Sequence, residues 1–239
     1  MWYNIAWLNR GVDIMAFYLD GKEINFEKGE HSYLDEGCEA EVYIYKDLVL
    51  KFYKERSIKI SIDKEMVDYL RTIKTKRYLL PIASITNEIS KFLGYATEFK
   101  QHYQTMSSMM FDKFIDEVKF LEEDTLLLSE KGVDIEDLSY DNTIYNGSIY
   151  LIDPGSFKIS MENKSLPREN LDKLNTYVIE ELLGNSLSKS LSKKKKTEML
   201  NSIKEMLKSS SYELISDFLK EEASQSKNLK ECPKRLIKL

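Results

Sequence analysis

The sequence predicts an α+β fold: a strand-rich first part carrying one helix, followed by a mostly helical second part. Short runs of β-branched and aromatic residues fill the chain up to Phe99, and longer stretches with apolar residues at helical spacing follow from Phe111. Turn formers separate the runs.

Taken in order, Ile24 to Phe26 and Ser32 to Leu34 read as short strands. Glu41 to Tyr45 and Leu48 to Tyr53 read as a strand pair, with Lys46-Asp47 as the tight turn between them. Ile60, Met66, Tyr69, Leu70 and Ile73 predict an amphipathic helix over about Ser61 to Thr75. Pro81 breaks that pattern, and a strand is expected around Phe92 to Ala96. Phe114, Val118, Leu121, Leu126 and Leu128 predict a helix over Phe111 to Lys131, closed by Gly132. Asn146-Gly147 between Thr143–Tyr145 and Ser148–Ile152 is a hairpin signal. Helices are expected at about Asn170 to Leu183, Ser192 to Lys208 and Tyr212 to Glu222, the run Lys193 to Lys196 being a solvated helix start.

Composition narrows the function classes. The 239 residues suit one large domain or two small lobes, and 42% hydrophobic with 31% charged residues excludes wholesale disorder. With 35 basic and 40 acidic side chains, a net charge of -5 gives no electrostatic reason to expect a nucleic-acid partner. Cys38 and Cys232 are too few for a disulfide framework, and His31 and His102 too few for a His-rich zinc site. The apolar stretch Met1 to Tyr18 is interrupted by Asn4, Asn9, Arg10 and Asp13, so no membrane span is expected and a cytoplasmic location is.

The chemistry sits in two polar clusters of the second half. Gly132-Val-Asp-Ile-Glu-Asp137-Leu-Ser-Tyr-Asp-Asn142 closes a helix, and after the hairpin comes Leu151-Ile-Asp153-Pro154-Gly155. Taken singly, Asp137, Asn142 and Asp153-Pro-Gly are turn formers. Jointly, with an Asp and an Asn separated by four residues and a second Asp beyond a hairpin, they resemble the catalytic loop and metal-binding motif of the protein kinase superfamily. The resemblance runs from about Leu34 to Gly184. It implies a two-lobed protein-kinase-like fold, with an N-lobe over 1–98 and a shortened, mostly helical C-lobe over 99–239, and with ATP and Mg2+ bound between them.

Within that resemblance Asp137 is the catalytic carboxylate, and Asn142 and Asp153 are the metal ligands. Leu34-Asp-Glu-Gly37-Cys-Glu-Ala40-Glu-Val42 resembles a degenerate glycine-rich loop in which Gly37 is the one glycine kept. Lys51, with Lys54 as the alternative, has the position of the lysine that contacts the phosphates. Glu65 on the following helix would be its ion-pair partner. Phe92-Leu-Gly-Tyr-Ala-Thr97-Glu98-Phe99-Lys100 resembles the strand leading to the hinge, with Thr97 beside the adenine and the backbone of Glu98 and Lys100 binding the base.

Three departures from the family pattern bear on function. Ile135-Glu136 replaces the His-Arg before the catalytic Asp, and Asn170 or Asp172 must stand in for the helix Asp that braces the loop. The segment after Asp153 is short and carries no Ala-Pro-Glu. Its hydroxyls are Ser156, Ser160 and Ser165, and Glu136 would repel a phosphate placed there. The expected activity is phosphoryl transfer to a hydroxyl, on a protein Ser/Thr or a small molecule. A pseudokinase that binds nucleotide without turnover is the alternative.

Overall fold

Apolar residues spaced two apart up to Glu98 pair into one antiparallel sheet of seven strands. The computed structural model describes residues 15–26, 31–36, 39–54, 62–101, 109–184, 192–209 and 214–222. The chain divides into two compact units, Met1–Thr72 with Pro81–Phe99, and Ile73–Leu80 with Lys100–Leu239.

In the first unit the strands are β1 (Met15–Leu19), β2 (Lys22–Phe26), β3 (His31–Glu36), β4 (Ala40–Tyr45), β5 (Leu48–Tyr53), β6 (Ala83–Thr86) and β7 (Phe92–Glu98). Their order is β2-β1-β6-β7-β5-β4-β3, so β7 lies inside the sheet, between its chain neighbour β6 and the earlier β5. One face forms a core of Phe17, Tyr45, Leu50, Phe52, Ala83, Ile85 and Ala96. β1 and β6 were not among the expected strands. The signal for β1 is Asp20-Gly21, whose φ values of 48° and 79° give the two-residue hairpin that Asp-Gly favours.

Gly94 of β7 has φ 155°, and a Cβ there would stand 1.9 Å from the Lys51 carbonyl oxygen. Only glycine lets β5 and β7 approach this closely beside Lys51.

The helix α1 spans Lys64–Leu70, shorter than the expected Ser61 to Thr75. Asp63 starts it by accepting the Met66 N–H at 2.8 Å. Thr72 ends it, its hydroxyl donating to the Tyr69 carbonyl at 2.7 Å. Residues 60 and 61 of the expected helix lie outside the described residues.

The second unit is built on α2 (Phe111–Glu130), which buries Phe111, Phe114, Val118, Leu121 and Leu128. Gly132, at φ 67°, turns the chain out of the helix. Next come β8 (Val133–Asp134), the hairpin β9 (Thr143–Tyr145) and β10 (Ile149–Leu151), and β11 (Lys158–Ile159), which pairs antiparallel with β8. α3 (Leu166–Tyr177) starts four residues before the expected point because Pro167 is accommodated in its first turn, and it runs on as π-helix over Val178–Leu183. α4 (Lys193–Ser209) begins with exposed lysines, and α5 (Ile215–Glu222) follows.

Three carboxylates on the buried side of α2 tie it to distant segments. Glu117 accepts from Arg77 at 2.5 Å and from the Ile149 N–H at 3.0 Å. Asp124 accepts the N–H groups of Lys76 and Arg77 at 2.8 and 2.6 Å. Glu122 accepts the Ser216 N–H at 2.9 Å and its hydroxyl, anchoring the start of α5. Among the described residues no helix is long and apolar enough to cross a membrane.

Candidate active site

In the first unit, strand register decides which expected residues meet. Lys51 of β5 lies opposite Val42 on β4 and Tyr95 on β7, while Val49, two residues earlier, lies opposite Thr97. Ala40 lies opposite Tyr53. Directly paired residues share a face, so Ala40, Val42, Lys51 and Thr97 share the face opposite Leu50 and Phe52. Ala40 and Thr97 are buried there and Lys51 is half-buried. The Lys51 ammonium lies 5.7 Å from the Tyr53 ring centre and 5.9 Å from that of Tyr95, within cation–π range. Lys54 sits beyond the end of β5, its N–H donating to the Glu39 carbonyl at 2.8 Å.

Two expectations fare differently. Gly37 lies outside the described residues. The Lys51–Glu65 ion pair is not formed: Glu65 is exposed, and no ion pair of its side chain occurs among the described residues. The cause is helical register. Met66, Val67 and Leu70 take the buried face of α1, which turns Glu65 to solvent. Glu98, opposite Leu48 at the end of β7, is exposed as well.

In the second unit, the loop between β8 and β9 carries Asp137 and Asn142. Asp137 has φ 58°, a left-handed conformation that asparagine and aspartate tolerate better than bulkier residues. The Asn142 side-chain amide holds it from behind, donating to the Asp137 carbonyl and to its Oδ2, both at 3.1 Å. The Asn142 carbonyl in turn accepts the Ile152 N–H at 2.9 Å, so the loop is joined by backbone to the residue just before Asp153. Asp153 is also left-handed, at φ 61°, and accepts the Gly155 N–H at 3.3 Å at the start of a single 3₁₀ turn over Pro154–Ser156. The structure thus brings Asp137, Asn142 and Asp153 into one loop system. Lys100, also in this unit, lies with its ammonium 5.3 Å from the Tyr150 ring centre.

The loop is braced from α3. Asn170, fully buried, accepts the Ile135 N–H at 3.1 Å and donates to the Val133 carbonyl at 2.8 Å and to Ser129 Oγ at 2.9 Å. Asp172, the other residue considered for that role, is exposed. Lys173 and Tyr177 continue the same helix face. Lys173 reaches Asp134 and the Ile135 carbonyl, and the Tyr177 hydroxyl meets Thr143 Oγ1 at 2.6 Å. Burial pushes the Tyr177 phenol far above its ordinary range, so this hydroxyl keeps its proton. Sequence reasoning missed Lys173 and Tyr177; their i, i+3, i+7 spacing from Asn170 was the available signal.

Among the described residues no three His, Cys, Asp or Glu side chains converge on a common point, which argues against an all-protein cage. Asn142 and Asp153, the expected metal ligands, lie on the one loop system, joined through the Asn142 carbonyl and the Ile152 N–H. Beside Asp137 an open groove of about 460 Å³ runs along α3, lined by Ile135, Leu138, Asp172, Lys173 and Glu181 among others. In comparisons with known proteins, no family model matches the chain, and no curated protein matches it.

Proposed function

We propose that the chain is an ATP- and magnesium-dependent phosphotransferase with a protein-kinase-like, two-lobed fold, acting on a hydroxyl of a protein Ser/Thr. The observation that carries the proposal is the double engagement of Asn142. Its side chain holds Asp137, and its carbonyl holds the chain at Ile152, next to Asp153. In-line phosphoryl transfer needs a carboxylate that orients the acceptor hydroxyl and takes its proton, beside a carboxylate and an amide suited to magnesium. Asp137, Asp153 and Asn142 supply these groups in one loop system. Lys51, on β5 after the paired strands β3 and β4 and before α1, has the order expected of the phosphate-contacting lysine. Bound magnesium would neutralise charge on the phosphates. The reading carries with it a cytoplasmic location, where ATP is plentiful.

A second reading is favoured by the exposed Glu65, which leaves the expected lysine partner out of the site. On that reading the chain is a pseudokinase, binding nucleotide as a regulatory module without turnover. A small-molecule acceptor is the third form of the proposal. Calorimetry of MgATP binding with wild type and Asp153→Ala tests what the readings share. The variant should lose most MgATP affinity and keep its affinity for adenosine. A wild type that binds no ATP with any divalent metal would overturn both readings. Phosphoryl transfer to a mixed protein acceptor then separates kinase from pseudokinase.

A further inference from the structure

Asp137 holds a left-handed backbone conformation that persists only where its surroundings fix it. Asn142 fixes it from the C-terminal side. On the N-terminal side the chain passes through Val133, Asp134 and Ile135, and two residues of α3 one turn apart engage that stretch. Asn170 takes the Val133 carbonyl and the Ile135 N–H. Lys173 takes Asp134 Oδ1 at 2.5 Å and the Ile135 carbonyl at 3.0 Å. Ile135 therefore has its N–H and its carbonyl both held by one helix, two residues before Asp137.

Lys173 differs from Asn170 in its surroundings. Its side chain is 39% exposed and lines the groove beside Asp137, so it is not packed in the core. A half-exposed ion pair adds little to global stability. What it can do is fix the direction in which the chain leaves Ile135, and hence where the Asp137 carboxylate points.

We propose that Lys173 is a positioning residue for Asp137, acting through Asp134 and the Ile135 carbonyl; this rests on the phosphotransferase reading above. Misplacing a reacting group by an ångström lowers rate without weakening the binding of substrate elsewhere.

The test compares wild type with Lys173→Met, Lys173→Arg and Asp134→Asn. In Lys173→Met, kcat should fall roughly 10²-fold while KM for MgATP and the melting temperature stay near wild type. Lys173→Arg, which keeps the charge and donors, should restore most of kcat. Asp134→Asn combined with Lys173→Met should be little worse than Lys173→Met alone. Hydrogen exchange of the peptide spanning 134–142 is read in parallel, and should be faster in Lys173→Met and restored in Lys173→Arg. An unchanged kcat in Lys173→Met overturns the proposal. So does a fall in kcat that only follows lost thermal stability and is not rescued by arginine. If the wild type transfers no phosphate, the phosphotransferase reading fails separately, and the exchange data alone decide on Lys173: unchanged exchange overturns its positioning role, and arginine-rescued protection supports it.

Discussion

The Lys158 ammonium donates to both carboxylate oxygens of Glu136, at 3.0 and 2.8 Å, and so links β11 to the residue before Asp137. Glu136's hydrogen bonds and charge push the Lys158 pKa up, which keeps the ammonium charged. In the resemblance drawn from the sequence, that position carries an arginine awaiting a phosphate. Here the charge is reversed and the partner already belongs to the chain. The pair is largely exposed, so it adds little to stability, but it joins the segment after Asp153 to the residue before Asp137.

On the proposed phosphotransferase reading, activity should therefore be present in the unmodified protein. Phosphatase treatment should leave it unchanged, as should joint replacement of Ser156, Ser160 and Ser165 by Ala. The Ser156 Oγ is already buried, which hinders its modification. Lys158→Glu, which sets two like charges together, should lower transfer several-fold. Loss of activity on dephosphorylation, copied by the triple variant with MgATP binding intact, would show that a phosphorylation switch exists.

On the same reading, Asp137→Asn keeps the size of the side chain and removes the carboxylate proposed as base. Transfer should fall by roughly 10²-fold or more, with MgATP affinity retained. Single-turnover kinetics alongside calorimetry measures both. Equal turnover in variant and wild type would remove Asp137 from its role.

Gly94→Ala should destabilise the first unit by about 3 kcal/mol or more, because the new methyl collides with the Lys51 carbonyl and backbone must move. Urea unfolding followed by tyrosine fluorescence reads the loss. Gly21→Ala makes a useful contrast. Its Cβ meets nothing within 4 Å, so only the positive φ of 79° penalises it, and the cost should be smaller.

The three carboxylates of α2 give opposing pH dependences. For Glu117, burial pushes the pKa up, but hydrogen bonds from Arg77, Lys113 and the Ile149 N–H, with the Arg77 charge, reverse this and leave it below the ordinary 4.5. Its contribution is present above 4.5 and is lost as pH falls through its lowered folded value. For Glu122, burial outweighs the hydrogen bonds from Ser216, and the Asp217 charge adds to it, so its pKa is raised. For Asp124, burial outweighs the N–H donors of Lys76, Arg77 and Tyr78, and its pKa is raised as well. Each of these two takes up a proton in the folded state first, so stability gains as pH falls through their folded values. Urea midpoints should rise as pH falls through the raised folded values of Glu122 and Asp124, and decline once it falls below 4.5 and through the lowered value of Glu117. Glu122→Gln should flatten the rise, and Glu117→Gln should weaken the acid fall. Identical profiles for wild type and Glu122→Gln would refute the assignment.

What was legible in the sequence was local. The β4–β5 hairpin, the Asn146-Gly147 turn and the stop at Gly132 follow from alternation and turn chemistry within a few residues. The spacing of Asp137, Asn142 and Asp153 was legible for the same reason, since one hairpin separates them. The hairpin loop itself is longer than expected, Asn146 to Ser148, with β10 starting at Ile149. β1 is hard to read from the sequence because it overlaps the interrupted apolar stretch Met1 to Tyr18, although Asp20-Gly21 marks its end. Glu65 is turned to solvent, which the sequence does not show, since periodicity gives the face of a short helix only to within one residue. Asn170 and Asp172 could not be told apart, since which face of α3 turns to the loop depends on packing. Nothing local in the sequence marks Glu117, Glu122 and Asp124 as buried, and only partners remote in the chain explain it.

Those partners bear on how the second unit is assembled. Asp124 meets Arg77, 47 residues back, while Glu117 waits for Ile149, 32 residues ahead, and Glu122 for Ser216, 94 residues ahead. Until each arrives, the corresponding carboxylate must keep its water, so α2 cannot close its core one neighbour at a time. Loop closure over such spans is slow, and its reward comes only at the end. During synthesis Arg77 has already emerged when α2 does, but the partners of Glu117 at Ile149 and of Glu122 at Ser216 have not, so α2 would complete its burial only after α5 has emerged.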